Sequence, residues 1–173
     1  MSKYNVVSFS GGRTSAYMIH RIQTMVSQGL IDNVKYVFMD TGAEHPKTYE
    51  FIRQVVKHFD IDLVCLRAVM TTEVGIGPKY KEVCIDDICA DYGPWKEMIK
   101  CYSTPTVKMP MCTDRMKTAP YLKYCNDTFG RNNYTTWLGM RIDEPKRIKA
   151  QKGFRYLAEI SPMDKQDILG WWK

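Results

Sequence analysis

The sequence has no long apolar run, no C-x-x-C cysteine pair and no repeated or low-complexity segment. Without about 18 consecutive apolar residues a chain forms no membrane-spanning helix, so we expect no membrane partner. Without C-x-x-C pairs the strongest zinc and iron–sulfur signatures are missing, and we expect no iron–sulfur cluster. The amino terminus also lacks the apolar stretch of a signal peptide. We therefore expect a cytoplasmic protein whose six cysteines are free thiols.

The composition is that of a globular domain. The 173 residues are 45% hydrophobic and 25% charged, which fits one domain of ordinary size over residues 1–173. Lysine and arginine number 25 against 19 acidic residues, so the net charge is +6. This excess suits a polyanionic ligand such as a nucleotide or a nucleic acid, and an ordinary basic surface explains it equally well.

Strand-like and helix-like patterns alternate along the chain. Strands are predicted at 4–9, 34–39, 62–67 and 134–138. Helices are predicted at 14–28, 46–58, 91–102, 114–126 (broken or begun by Pro120), 143–151 and 164–171. The alternation predicts an α/β fold with an open, mostly parallel, doubly wound sheet of about five strands and helices on both faces.

Residues 68–110 interrupt this alternation. Glycines and prolines recur there, and only 91–102 reads as a helix. A long irregular segment inside a compact domain is often a lid or binding loop, and an ordinary surface excursion is an equal alternative.

The first predicted strand runs through Ser8 into the segment Ser10–Ser15, S-G-G-R-T-S, which opens a helix. Gly11 and Gly12 permit a tight turn with uncovered N–H groups, and the helix N-terminus adds partial positive charge. Side-chain donors to the same anion come from Ser10, Arg13, Thr14 and Ser15. We predict a phosphate-binding loop at the carboxyl end of the strand, where open α/β sheets bind ligands, rather than a serine-capped turn alone.

Five segments in order resemble one known family. The first is S-F-S-G-G-R-T-S-A at 8–16, and the others lie at 37–52, 111–120, 138–147 and 162–171. Together they look like the phosphoadenosine phosphosulfate (PAPS) reductase family, within the adenine-nucleotide alpha-hydrolase-like (PP-loop) superfamily. The resemblance implies a Rossmann-like fold and an adenine-nucleotide ligand, which would be PAPS, APS or ATP.

The resemblance also implies roles for residues beyond the loop. Asp40, Thr41 and Gly42 would contact the nucleoside, and Asp40 is a candidate ligand for Mg²⁺ carried by ATP. An aspartate-initiated turn is the alternative explanation of these three residues. Lys117 and Arg141 would stabilise negative charge at the α-phosphate.

Four further residues belong to the same implied site. Arg115, Gly139 and Arg147 would contact the nucleotide. A surface ion pair between Glu144 and Arg147 is the alternative explanation, and for Glu144 it is nearly as good. Cys112 is either a nucleophile activated by nearby cations or a buried small thiol.

The sequence departs from the family in its sulfur chemistry. PAPS reductases carry their reducing cysteine in a Glu-Cys-Gly-x-His-like tail, and this sequence contains no such motif. A reductase would then use an external thiol reductant. The alternatives are an ATP pyrophosphatase that adenylates a substrate and leaves AMP and pyrophosphate, a protein that sequesters a nucleotide without turnover, and a subunit that depends on a partner. A homodimer also stays open.

Two features near the carboxyl end have competing explanations. Five basic residues between 146 and 155 would form a track for tRNA or DNA, but a solvated face is favoured over a nucleic-acid partner. Trp171 and Trp172 would stack on a base or, as is commoner at a C-terminus, pack onto the core.

Overall fold

A six-stranded sheet lies at the centre of the computed structural model, which describes residues 3–73 and 76–173. The strand order is β4-β3-β2-β1-β5-β6, and β4 alone runs antiparallel to its neighbour. The strands are β1 Tyr4–Phe9, β2 Val34–Met39, β3 Leu63–Val69, β4 Lys79–Val83, β5 Tyr134–Leu138 and β6 Phe154–Tyr156. The predicted open, mostly parallel sheet is confirmed, with six strands in place of about five.

Helices cover both faces of this sheet. They are α1 Arg13–Ser27, α2 Pro46–Phe59, α3 Gly93–Tyr102, α4 Ala119–Phe129, α5 Leu157–Ile160 and α6 Lys165–Trp171, and one π-helical turn, Asp114–Thr118, precedes α4. Helices α1, α2 and α6 pack on the face that carries Val7, and α4 packs on the face that carries Val6. Adjacent residues of a strand point to opposite faces, so a doubly covered strand is apolar at consecutive positions.

The direction of the chain reverses at β1. From β1 the chain moves through α1, β2 and α2 to β3, and after α4 it returns to place β5 on the other side of β1. The strand order thus changes direction between β1 and β5, and a cleft lies at the carboxyl ends of these strands. Open α/β sheets bind their ligands at such a point, and Ser10 and Gly139 lie there.

Two sequence predictions need correction. Residues 143–151 form short turns and an irregular segment instead of a helix, because the N–H groups of Arg147 and Ile148 donate to carbonyls three residues earlier rather than four. Short strands β4 and β6 were not predicted. Strand β4 has three exposed residues, and β6 has only three residues in all, so neither carries the apolar pattern of a buried strand.

The segment 68–110 is more regular than its sequence suggests. Its start completes β3, and it contains β4 and α3. The backbone N–H of Tyr92 donates to the carbonyl of Gly42 at 2.8 Å, which ties the segment to the turn after β2. Residues 74 and 75 lie outside the described residues. A lid function for this segment stays a prediction.

The carboxyl-terminal tryptophans pack against the protein. The Trp171 ring lies 5.0 Å from that of Tyr17, and Trp172 lies 5.4 Å from Phe51. The indole N–H of Trp172 donates to the carbonyl of Arg13 at 3.2 Å, so α6 braces the first turn of α1. Among the described residues, every helix is too short or too polar to cross a bilayer.

Removing the side chain of Ile168 tests whether α6 belongs to the core. This side chain is buried in the cluster shared with α1, so we expect Ile168→Ala to lower the free energy of unfolding by about 2–5 kcal/mol. Val26 on α1 is 42% exposed, and Val26→Ala should change it by less than about 0.5 kcal/mol. Urea denaturation of both variants checks this, and equal effects would contradict the core role of α6.

Candidate functional site

The loop between β1 and α1 is closed by its own serines. The Ser15 hydroxyl donates to the carbonyl of Gly12 at 2.9 Å and accepts from the backbone N–H of Ser10 at 3.2 Å. The two hydroxyls of Ser10 and Ser15 lie 2.9 Å apart. Because the Ser15 side chain is buried and its hydroxyl is already hydrogen-bonded within the loop, it stabilises the conformation of the loop. The first N–H groups of a helix have no partner within it, so those of Arg13 and Thr14 are donors that an anion can use.

Two glycines let this loop pack closely on its surroundings. Gly11 has φ +77°, and a Cβ atom there would lie 2.9 Å from the Thr48 side chain and 3.1 Å from that of Ile52. A Cβ atom on Gly139 would lie 3.1 Å from the Cα atom of Ser15. The end of β5 therefore touches the backbone of the loop helix directly, which explains why glycine follows this strand.

A cleft opens beside the loop, at the carboxyl ends of β1, β2 and β5; we call it the loop cleft. Most of its wall is apolar, from Phe9, Phe38, Met39, Tyr121, Leu122, Leu138 and Phe154. Polar groups line the rest, from Ser8, Ser10, Lys117, Thr118 and Thr136. A mostly apolar pocket with a few convergent polar groups is the usual form of a small-molecule site, and an aromatic base with a phosphate has that same division.

Lys117 lies between the loop cleft and a second one. The second cleft is lined by Thr41, Ala43, Glu44, Trp95, Cys112, Thr113, Met116 and Lys117. The Lys117 ammonium group donates to Glu44 Oε1 at 3.1 Å, and the lysine side chain is 43% exposed. A group held in either cleft can therefore contact the same cation.

Asp40 is buried and fully engaged at the end of β2. Its Oδ1 atom accepts from the Gly42 N–H at 2.9 Å and from the Tyr49 hydroxyl at 3.0 Å. Its Oδ2 atom accepts from Arg67 Nε at 2.6 Å, and Arg67 also donates to Asp91 at 2.8 Å. Burial lowers the pKa of Arg67, but the hydrogen bonds to the two aspartates together raise it by more. The net pKa lies above the ordinary value for arginine, so the guanidinium stays charged. Asp40 thus joins β2, α2, β3 and the loop before α3.

The Asp40 carboxylate does not fit the predicted magnesium role. Both of its oxygen atoms already have protein donors and the side chain has no exposed surface. Hard cations take oxygen ligands that are free to coordinate, and Arg67 would have to leave first. In residues 3–73 and 76–173 no three His, Cys, Asp or Glu side chains gather elsewhere into a metal-binding group.

Arg141 reaches the start of α1 from the loop after β5. Its Nη1 atom donates to the Thr14 hydroxyl at 3.4 Å, and its Nε atom donates to Asp143 at 2.8 Å. The hydrogen bond to Asp143 raises the pKa of Arg141. Glu144 bonds to both Arg141 and Arg147, so the expected Glu144–Arg147 ion pair is present, on a turn rather than a helix. Arg141 is at the loop, and Arg147 is mostly exposed.

Two other predicted site residues, Arg115 and Gly42, line neither the loop cleft nor the second cleft. Arg115 stacks on Tyr102, 5.1 Å from the ring centroid, and lines neither cleft next to Lys117. Gly42, at φ +67°, packs under Asp91 and Pro94 and shapes the turn. The structure thus brings Lys117 and Arg141 to the loop but places Arg115 apart.

The six cysteines are free, and only some are accessible. Burial raises the pKa of Cys65 to about 12 and that of Cys125 to about 12, so both stay protonated thiols at neutral pH. Cys112 is partly exposed and lines the second cleft beside Lys117. Of the thiols described, Cys112 is the one that lines either of the two clefts that share Lys117.

Sequence reasoning missed Arg67, Tyr121 and Thr136. Arg67 is a charged residue inside an otherwise apolar strand, which is a signal for a buried partner. The Tyr121 hydroxyl donates to Thr136 at 3.0 Å and joins α4 to β5 under the loop cleft. No sequence signal predicts this pair, because its members belong to separate elements.

The resemblance to a known family is confirmed by comparison with known proteins. The family model of the phosphoadenosine phosphosulfate reductase domain matches residues 4–163. The chain is also similar to an uncharacterized nin region protein, ORF290, of Escherichia phage lambda, with 51% identity over 172 residues. That match covers 98% of this chain and 59% of the phage protein.

A more distant relative and one solved structure complete the comparison. The uncharacterized protein MJ0973 of Methanocaldococcus jannaschii is 32% identical over 99 residues, which is 55% of this chain and 22% of that protein. The chain thus spans less than two thirds of either relative. The phosphoadenylyl-sulfate (PAPS) reductase of Candida auris, in a phosphate complex, has a TM-score of 0.54 at 12% identity. That match covers 96% of this chain and 70% of that one, and it shows a shared fold.

Loss of the Arg67 charge should destabilise the protein strongly. In Arg67→Met the buried Asp40 carboxylate loses its ion-pair partner, so we expect unfolding to cost about 3–5 kcal/mol less. Asp91 is partly exposed, and Asp91→Asn should lower stability by less than about 1 kcal/mol. Urea denaturation measures the free energy of unfolding of both variants. A small effect of Arg67→Met would show that water or another protein group can replace Arg67 as the partner of the Asp40 carboxylate.

A methyl group at Gly139 should displace the loop between β1 and α1. Its Cβ atom would press on the Ser15 backbone, so we expect Gly139→Ala to lower stability by about 1–3 kcal/mol. Gly170→Ala is the matched control, because a Cβ atom there meets nothing within 4 Å. Thermal denaturation compares the two, and a neutral Gly139→Ala would contradict the close contact.

Proposed function

Because the chain belongs to the family of phosphoadenosine phosphosulfate reductase domains, we propose that it binds an adenine nucleotide at the Ser10–Ser15 loop and acts at the α-phosphate end. The nucleotide would be PAPS, APS or ATP. The observation that carries this proposal is the loop cleft, which joins an apolar wall to Ser10, the loop and Lys117. The base would lie against that wall, and the phosphates would lie at the start of α1.

The charged groups near the loop match a developing negative charge. Free N–H groups at the start of α1 would bind the phosphate, and Arg141 would approach it from the Thr14 side. Lys117 would approach from the other side of the cleft, where Glu44 orients its ammonium group. Fixed donors around a water-poor site stabilise charge in the transition state at little reorganisation cost.

The second cleft would hold the group that reacts with the nucleotide. In the reductase form, the Cys112 thiolate attacks the sulfur atom of PAPS, the bond from sulfur to the phosphate oxygen breaks, and adenosine 3′,5′-bisphosphate leaves. An external thiol reductant then releases sulfite and is left as a disulfide with Cys112, which a second thiol reduces. Cys112 supports this form because it shares the cleft with Lys117.

An adenylating reaction is the second candidate. There an oxygen atom of an acceptor in the second cleft attacks the α-phosphorus of ATP, and pyrophosphate leaves. The acceptor then carries AMP until water or a second nucleophile displaces AMP from it. The observation that favours it is that the second cleft shares only Lys117 with the loop cleft, which leaves room for a separate substrate. Magnesium bound to ATP would reach this site without Asp40 as a ligand.

Binding and turnover of the three nucleotides test the proposal. Calorimetric titration with PAPS, APS and ATP should give binding, and mass spectrometry of each mixture should identify the products. Adenosine bisphosphate that forms only with a thiol reductant supports reduction, whereas AMP with pyrophosphate supports adenylation. Binding without product would leave a nucleotide-sequestering protein or a partner-dependent subunit, and absence of binding would overturn the proposal.

Lys117→Met isolates the role of the shared cation. A charge-assisted hydrogen bond is worth about 1.5–3 kcal/mol, so we expect product formation to fall roughly 10- to 100-fold. Lys123→Met is the matched control, because Lys123 lies one turn into α4 and pairs with Asp127 at the surface. Steady-state rates of the two variants decide this, and equal rates would remove Lys117 from the reaction.

A further inference from the structure

A basic cleft lies at the end of the sheet opposite the phosphate loop. It is lined by the side chains of Lys3, Arg131 and Lys152, near the amino ends of β1, β5 and β6. Its volume is about 370 Å³. Apart from Leu122 and Phe154, no residue that lines the proposed nucleotide site lines this cleft.

The electrostatics of this basic cleft are one-sided. No carboxylate lines it, and none of its three cations forms an ion pair with any residue of the described ranges. By contrast, the neighbouring Arg147 and Arg155 are neutralised by Glu144 and Glu159. Cations without partners that converge on a concave surface favour an anion.

Polar groups add hydrogen-bond donors to the same wall. The Tyr134 hydroxyl donates to the carbonyl oxygen of the Asn126 side chain at 3.2 Å, which orients the amide NH₂ group of Asn126 as a donor. Asn132 also lines the cleft. Charged and amide donors together form the usual lining of a site for phosphate oxygens.

The basic cleft adjoins the loop cleft. Leu122 and Phe154 line both of them, and β5 runs along the floor between. Five residues of β5 at about 3.3 Å each place the two ends roughly 13 Å apart, which is about two nucleotide steps along an extended strand. The half-buried Phe154 ring lies between the cations and the phosphate loop.

We infer that the basic cleft binds single-stranded nucleic acid, with backbone phosphates on Lys3, Arg131 and Lys152 and a base stacked on Phe154. Single strands are recognised by such a combination of a basic track and aromatic platforms, because unpaired bases expose their faces. The binding itself does not depend on which reaction occurs at the phosphate loop.

Fluorescence anisotropy with labelled single-stranded DNA and RNA of roughly 12 nucleotides tests this inference. We expect the double variant Arg131→Glu/Lys152→Glu to weaken single-strand binding at least tenfold. The negative slope of log K against log salt should also become shallower by about 1.4, because two phosphate contacts are lost and each contributes about 0.7 on a single strand. Calorimetric ATP binding measured on the same protein should stay unchanged, which separates this result from any failure of the proposed nucleotide site.

The matched control is Lys57→Glu/Lys79→Glu, which changes the net charge equally. Lys57 lies on α2 and Lys79 on the opposite edge strand β4, and both are exposed. Equal loss in both double variants would overturn the inference, since net charge alone would explain binding. Duplex binding as tight as single-strand binding would overturn it, and so would binding of inorganic phosphate at the cleft without any binding of the oligonucleotides.

Discussion

The buried ion pair between Asp40 and Arg67 holds the candidate site together. Asp40 comes from the end of β2 and Arg67 from β3, and through Asp91 the pair also fixes the loop before α3. The Tyr49 hydroxyl ties α2 to the same carboxylate. A buried charge without its partner is costly, so these four elements keep one arrangement. The turn that walls the second cleft, Thr41 to Glu44, therefore has a rigid base.

Much of the fold follows from local sequence. The apolar runs of β1, β2, β3 and β5, and the helical periods between them, are strong because both faces of those strands are buried. The alternation therefore predicts a parallel sheet and places a ligand at the carboxyl end of β1. Strands β4 and β6 escape such reasoning, because edge strands need no apolar alternation. The basic stretch after Asp143 has helical composition, but its first N–H groups bond to carbonyls three residues earlier, and the chain forms turns and then an irregular segment.

The site is predictable in part only. The glycines and serines of the loop predict a phosphate site, since their chemistry acts locally, yet the stabilising role of the buried Ser15 side chain depends on its three-dimensional partners. From the sequence alone, Asp40 is predicted to be a free carboxylate at the end of a strand. Its partner lies 27 residues away, and no local pattern indicates that Arg67 neutralises it. The family resemblance leads us to expect Lys117 and Arg141 at a nucleotide site, whereas the two clefts that share Lys117 could be found only in three dimensions.

The charged edge strand β4 has a consequence for self-association. Its residues Lys79, Lys81 and Glu82 are exposed, and it pairs antiparallel with β3 as the last strand on that side. An edge with charges of this density discourages a second copy from extending the sheet, because the charged side chains of two such strands would have to share a ladder. If two copies of the chain associate, they would therefore meet through helices or through the other edge of the sheet. The two sheets would not merge through β4, and each copy would retain its own sheet beneath the loop between β1 and α1.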